Sequence, residues 1–172
     1  MNLMPTTKTV PKAPLTIIEK LFIVLSFFSL LIMGGLVLWG YNNTSGDVPM
    51  HFNGQGNADR YGDKSEMILF FGISIVVFVS LLLSSKLTKN HFFSSPSSFK
   101  KSMKLYKNDR LMRVILGFET VILSLYIQWR TIKGIIGDSD GLNPFIVFGL
   151  VIIMFITIFV FLRNSHNIKK HI

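Results

Sequence analysis

Four long apolar runs, about Ile17–Tyr41, Glu66–Ser85, Leu111–Ile132 and Leu142–Leu162, dominate the order of hydrophobic and polar positions along this chain. Each is close to the roughly 20 residues that cross a hydrocarbon core about 30 Å thick. In lipid only helices and closed barrels satisfy their backbone hydrogen bonds. Continuous Leu, Ile, Val and Phe runs lack the alternation of a barrel strand, so the pattern predicts an all-α membrane protein with four transmembrane helices. The first run is too long for a secretory signal, and Leu36 to Gly40 offers no small-x-small cleavage site, so it is read as a retained span.

The polar stretches between the runs divide the chain. Residues 1–16, with Pro5, Pro11 and Pro14, read as a disordered tail. Residues 17–85 form one helical hairpin around a polar loop, 42–65, and residues 111–162 form a second. Between them lies a basic loop, 86–110, broken by Ser94–Ser98. Within it Phe99, Met103 and Tyr106 recur at i, i+4 and i+7. This spacing predicts an amphipathic helix on the inner leaflet that runs into the third span. Gly137 to Pro144 reads as a turn in which Asn143 caps the fourth helix and Pro144 takes its first position. A calcium loop at Asp138 and Asp140 lacks the rest of its ligands. Residues 163–172 form a basic tail.

Composition agrees: 49% of residues are hydrophobic and the mean hydropathy is +0.48. The absence of cysteine excludes disulfides and thiolate metal sites. The net charge of +9 is uneven. Of the eighteen Lys and Arg residues, all but Arg60, Lys64, Arg130 and Lys133 lie in the N-terminal tail, the middle loop with its flanks, or the C-terminal tail. The positive-inside rule then expects both termini in the cytoplasm and the 42–65 loop outside. The basic residues are read as setting topology and meeting an anionic inner leaflet. No nucleic-acid-binding module accompanies them, so no nucleic acid is expected as a partner.

The loop carries the candidate chemistry. Val48 to Phe52, if extended, turns Met50 and Phe52 one way and His51 the other. Asn53-Gly54 and Gln55-Gly56 suit a tight reversal, and Ala58 to Tyr61 can return as a second strand. Asp63 or Ser65 can cap the second span, with Glu66 in its first turn. The expectation is a small extracytoplasmic hairpin anchored at the interface by Phe52 and Tyr61. His51, Asp59 and Asp63 are candidate metal ligands. The alternative is structural: His51 and Asn53 bonding loop backbone while the acids cap turns. His51, Asn53, Asp59, Tyr61 and Lys64 are the candidate ligand-binding set. No motif calls for a cofactor.

The Val-Pro-x-His-Phe-Asn-x-x-Gly-x-x-Asp-x-Tyr-Gly-x-Lys pattern from Val48 to Lys64 resembles the family of domain of unknown function 1648. That domain also forms the first part of SdpI-type bacterial immunity proteins. The likeness spans the first helix, the loop and the second helix, and Tyr106 to Arg110 is also similar to such proteins. Two features differ: Ser45-Gly46 stand where a Leu-Pro is usual, and the later module with its Gly-x-Arg-Thr-Pro-like motif has no counterpart. The resemblance implies a multi-pass protein of the bacterial cytoplasmic membrane. It further implies an immunity or envelope-stress role, with an extracellular peptide or toxin as ligand and a cytoplasmic regulator at Lys86–Arg113.

Glu119 is the one acid deep in a span. Charge at that depth costs several kcal/mol, so Glu119 is expected to face the bundle. It shares a helical face with Met112, Ile115, Ile122, Tyr126 and Arg130, and Arg130 lies too far along that face to pair with it. Ser29, Ser80 and Thr157 fall at a similar depth, so Glu119 is expected to bond with some of them. Gly34-Gly35 and Gly72 are expected where helices approach closely. Three functions compete: a non-enzymatic immunity or sensing protein, a small oligomeric ion-coupled carrier using Glu119, and a membrane enzyme using the His51 loop. The first is preferred. A carrier would need a homo-oligomer and normally a broken helix, and no nucleophile motif supports an enzyme.

Overall fold

A computed structural model describes residues 13–94, 99–137 and 141–171. Four helices form: α1 (Ile17–Asn43), α2 (Ser65–Ser94), α3 (Phe99–Ile135) and α4 (Pro144–His171). All four are long and apolar enough to cross a membrane. The chain is a multi-pass, all-α membrane protein, with one two-stranded hairpin between α1 and α2. The strands β1 (Val48–Phe52) and β2 (Ala58–Gly62) pair antiparallel. Asp138 and Asp140 lie outside the described residues, as does most of the Ser94–Ser98 break.

α3 is the hub and packs against α1, α2, α4 and β1. Small residues set its approach. Gly117 lies against the ring of Phe78, and Gly134 against Pro49 of β1. Of the glycines expected at helix contacts, Gly34 meets the ring of Phe71, while Gly35 and Gly72 face open space. One apolar cluster, Leu30, Phe78 and Val121, fills the middle of α1, α2 and α3. A second, Val37, Val48, Met67 and Ile132, joins the hairpin to the ends of the same helices. Several hydroxyls within the spans donate back to their own helix, as Ser26 does to Phe22 O, Ser74 to Phe70 O and Thr120 to Leu116 O. This satisfies them where water is absent.

The elements converge at two ends. At the tail end, Arg110 of α3 reaches Glu19 of α1, Arg113 donates to Ser84 Oγ of α2, and Asn108 donates to Phe161 O and Ser165 Oγ of α4. The hairpin end gathers both tryptophans, Trp39 and Trp129, with Tyr41, Tyr61 and Tyr126. Such rings suit the level of lipid headgroups.

Two expectations change. Residues 99–110 are the first turns of α3, continuous with the span, but Phe99 and Met103 are not on their buried face. Their buried face is Ser102, Leu105 and Tyr106, whereas Phe99 is 60% exposed. Lys101 donates to Lys169 O, and Asn108 holds α4. Bonding to a neighbouring helix, not hydrophobic periodicity, therefore orients this segment. At the N-terminus, Ala13 and Pro14, assigned to the tail, are tied down because their carbonyls accept from Arg110.

Candidate functional site

Most signature residues of the loop hold the hairpin in place. Asn53 Oδ1 accepts from the amides of Gln55 and Asn57, both at 3.0 Å. The turn closes with Gly56 N donating to Asn53 O, and Gly56 takes a φ of 89° that a side chain would resist. Its carbonyl accepts from Leu142 N at 2.8 Å, docking the hairpin tip on the α3–α4 connection. Pro49 O accepts from Thr131 of α3. Asp63 Oδ1 accepts from Ser65 N at 2.8 Å and opens α2. The hydroxyl and then the amide of Ser65 hold the Asp63 carboxyl below its ordinary value. Lys64 Nζ donates to Tyr41 O and Thr44 O, both at 3.0 Å, and lies over the Tyr41 ring. A cation on the free carbonyls at the end of α1 satisfies them and meets the negative end of the helix dipole. Arg60 forks onto Glu66 at 3.1 and 2.8 Å, an ion pair that raises the Arg60 pKa.

Residues 28–76 match the family model described as a domain of unknown function, DUF1648. The resemblance expected from Val48 to Lys64 is therefore supported, and the matched segment runs from the middle of α1 to the middle of α2. No curated protein and no solved structure matches the chain.

What the loop leaves open to solvent is narrower than the candidate set. His51 Nδ1 and Asp59 Oδ1 sit 2.5 Å apart, joined across the strands and exposed by 63% and 42%. Bulges at Met50 and Asp59 bring this about: Pro49 pairs with Tyr61, His51 with Arg60 and Phe52 with Ala58, leaving those two residues unpaired. Asp63 does not join them, and no group of three such side chains is placed for a metal among the described residues. Tyr61 is 59% exposed. Beside it, a cavity of about 300 Å³ is lined by Thr44, Asp47, Pro49, Tyr61 and Gly134. The Thr44 hydroxyl is buried there without a hydrogen-bond partner.

Inside the membrane, Thr157 of α4 donates to Glu119 Oε1 at 2.6 Å. Of the three partners considered, Thr157 makes the bond; Ser29 is buried on α1 without reaching it, and Ser80 is exposed on the outer face of α2. The shared face of α3 is the one that meets α4. Tyr126 Oη accepts from Asn143 N, and Arg130 Nε donates to Gly141 O at 2.5 Å. Asn143 Oδ1 accepts from Phe145 N, capping α4 as expected. Glu119 Oε2 is buried without a partner.

Sequence reasoning missed the buried ion pair at the tail end. Arg110 Nε lies 2.6 Å from Glu19 Oε1 and a second nitrogen lies 2.9 Å from Oε2, with the side chains only 5% and 1% exposed. Thr16 N donates to Glu19 Oε2 and Glu19 N donates to Thr16 Oγ1, a capping box, and the Thr16 hydroxyl also donates to Glu19. The Thr16-x-x-Glu19 spacing was the available signal. Its partner lay 91 residues away and could not be read locally.

Proposed function

We propose that this protein is a non-enzymatic sensing or immunity-type protein of the bacterial cytoplasmic membrane, whose DUF1648 hairpin meets an extracytoplasmic peptide. One observation carries the reading: the hairpin-end cavity, lined by Asp47, Tyr61 and Thr44 beside the exposed face of the loop. An acid and a phenol suit a cationic, hydrogen-bonding peptide. Transmission has a physical route, because β1 packs on α3 and α3 continues unbroken to the basic turns at Lys104 and Lys107. A cytoplasmic regulator would bind elsewhere on the basic stretch Lys86–Arg113 that leads into α3. A second reading, a small oligomeric carrier, draws on the buried, unpartnered oxygen of Glu119.

One set of strains tests both. Deleting the gene should raise sensitivity to at least one cationic membrane-active peptide, and Asp47→Asn with Tyr61→Ala should reproduce the deletion at normal protein levels. Unchanged sensitivity across a broad panel would refute the sensing reading. Loss of function in Glu119→Gln, with the hairpin variants active, would favour the carrier.

A further inference from the structure

A cavity of about 300 Å³ opens at the tail end between α1 and α4, over the surface of α3. Thr16 and Glu19 at the start of α1 form one wall. Asn164 and Ile168 of α4 form the other, and Lys104, Lys107 and Leu111 of α3 form the floor. The charges around it do not balance. Glu19 has both oxygens engaged, by Arg110 and by Thr16. Asn164 is turned to Asn108 Oδ1. Lys104 and Lys107 are exposed, three residues apart on one helix, and neither ammonium has a partner among the described residues. Two unbalanced cations therefore share a cleft with apolar walls at Leu111 and Ile168. Deeper in the bilayer both flanking helices carry exposed apolar side chains, Leu21 and Leu25 on α1 and Phe159 on α4.

We propose that this cleft is a binding site for one anionic phospholipid, its phosphate on Lys104 and Lys107 and its acyl chains along Leu111, Ile168 and the apolar flanks of α1 and α4. The position explains the chemistry. A phosphodiester sits where the bilayer becomes aqueous, and basic side chains at that level attract anionic headgroups. A free phosphate would meet the two cations but leave the apolar walls uncovered. α4 has no fully buried described side chain, so a lipid wedged between it and α1 adds packing that the protein lacks.

The full chain, purified in mild detergent after incubation with lipid, provides the test by native mass spectrometry. It should retain one phosphatidylglycerol and no phosphatidylcholine, and millimolar inorganic phosphate should not displace it. Lys104→Gln with Lys107→Gln should lower retention by roughly thirtyfold, since each of the two basic residues near the headgroup contributes about 1 kcal/mol. Lys169→Gln with Lys170→Gln removes the same charge from the end of α4 and should leave retention unchanged. Both pairs are exposed, so circular dichroism should report the same helix content throughout. Equal loss in the two double variants would reduce the effect to general surface charge and overturn the proposal. So would retention of phosphatidylcholine, no retention at all, or displacement by phosphate.

Discussion

Lys64, Asn53 and Asp63 have the side chains expected of a ligand-binding loop, yet each is engaged within the chain. Lys64 closes the end of α1, Asn53 closes the hairpin turn, and Asp63 opens α2. The Asn53 turn and the Asp63 cap were legible as the structural alternative; the partner of Lys64 was not, because a lysine on a carbonyl 23 residues away leaves no mark in local sequence. Asp63 offers a direct check. Its carboxyl is held below the ordinary value of 3.8 by hydrogen bonds from Ser65. A lowered folded-state value means the contribution is complete above the unfolded value and is lost as pH falls through the folded one. Followed by NMR in micelles, the Ser65 amide should titrate with an inflection below 3.8, and Asp63→Asn should abolish it. An inflection at or above that value would show that the cap contributes nothing.

Among the helices, α3 has the most varied neighbours and the least uniform sequence. Its outer half reads as a span, and periodicity places Ile122, Tyr126 and Arg130 on one face, where Tyr126 and Arg130 meet the connection to α4. Its inner half carries Lys100 to Arg113, where Ser102, Asn108 and Arg110 are buried beside Leu105 and Tyr106, so hydrophobic spacing alone does not give the buried face. Arg110 is the key residue of that half, since it joins α1, Ala13 and Pro14 to α3. Arg110→Met leaves the Glu19 carboxylate buried without its counter-ion, and breaking such a pair costs about 3–5 kcal/mol. Thermal unfolding in detergent should show a Tm lower by roughly 10 °C. Changing Glu19→Gln together with Arg110→Met should recover much of it, because no lone charge remains. A double variant as unstable as Arg110→Met would argue that Arg110 acts through the Ala13 and Pro14 carbonyls instead.

Across the molecule, the helix ends sort into two groups: a basic end held by Arg110, Arg113 and Asn108, and an aromatic end where the hairpin docks. By the positive-inside rule we propose that the basic end faces the cytoplasm, and both the sensing proposal and its peptide partner require that orientation. The chain contains no cysteine, so single thiols can be introduced without background. In intact cells an impermeant maleimide should modify Asn57→Cys, while Lys101→Cys should react only after permeabilisation. The reverse pattern would invert the protein and remove the outside ligand.

Spans, turns and caps were readable because each depends on neighbours within a few residues: an apolar run long enough for the bilayer, a glycine where φ is positive, an Asn before a Pro. The hairpin's family likeness was readable for the same reason, being a contiguous pattern. Folding alone settled the contacts between distant residues. It joined Glu19 to Arg110, gave Glu119 to Thr157 rather than to Ser29 or Ser80, and docked Gly56 on Leu142. Those pairings follow from how helices rotate and slide against one another. Many rotations bury a uniformly apolar helix equally well, so the choice among them rests on a few polar bonds made across the bundle.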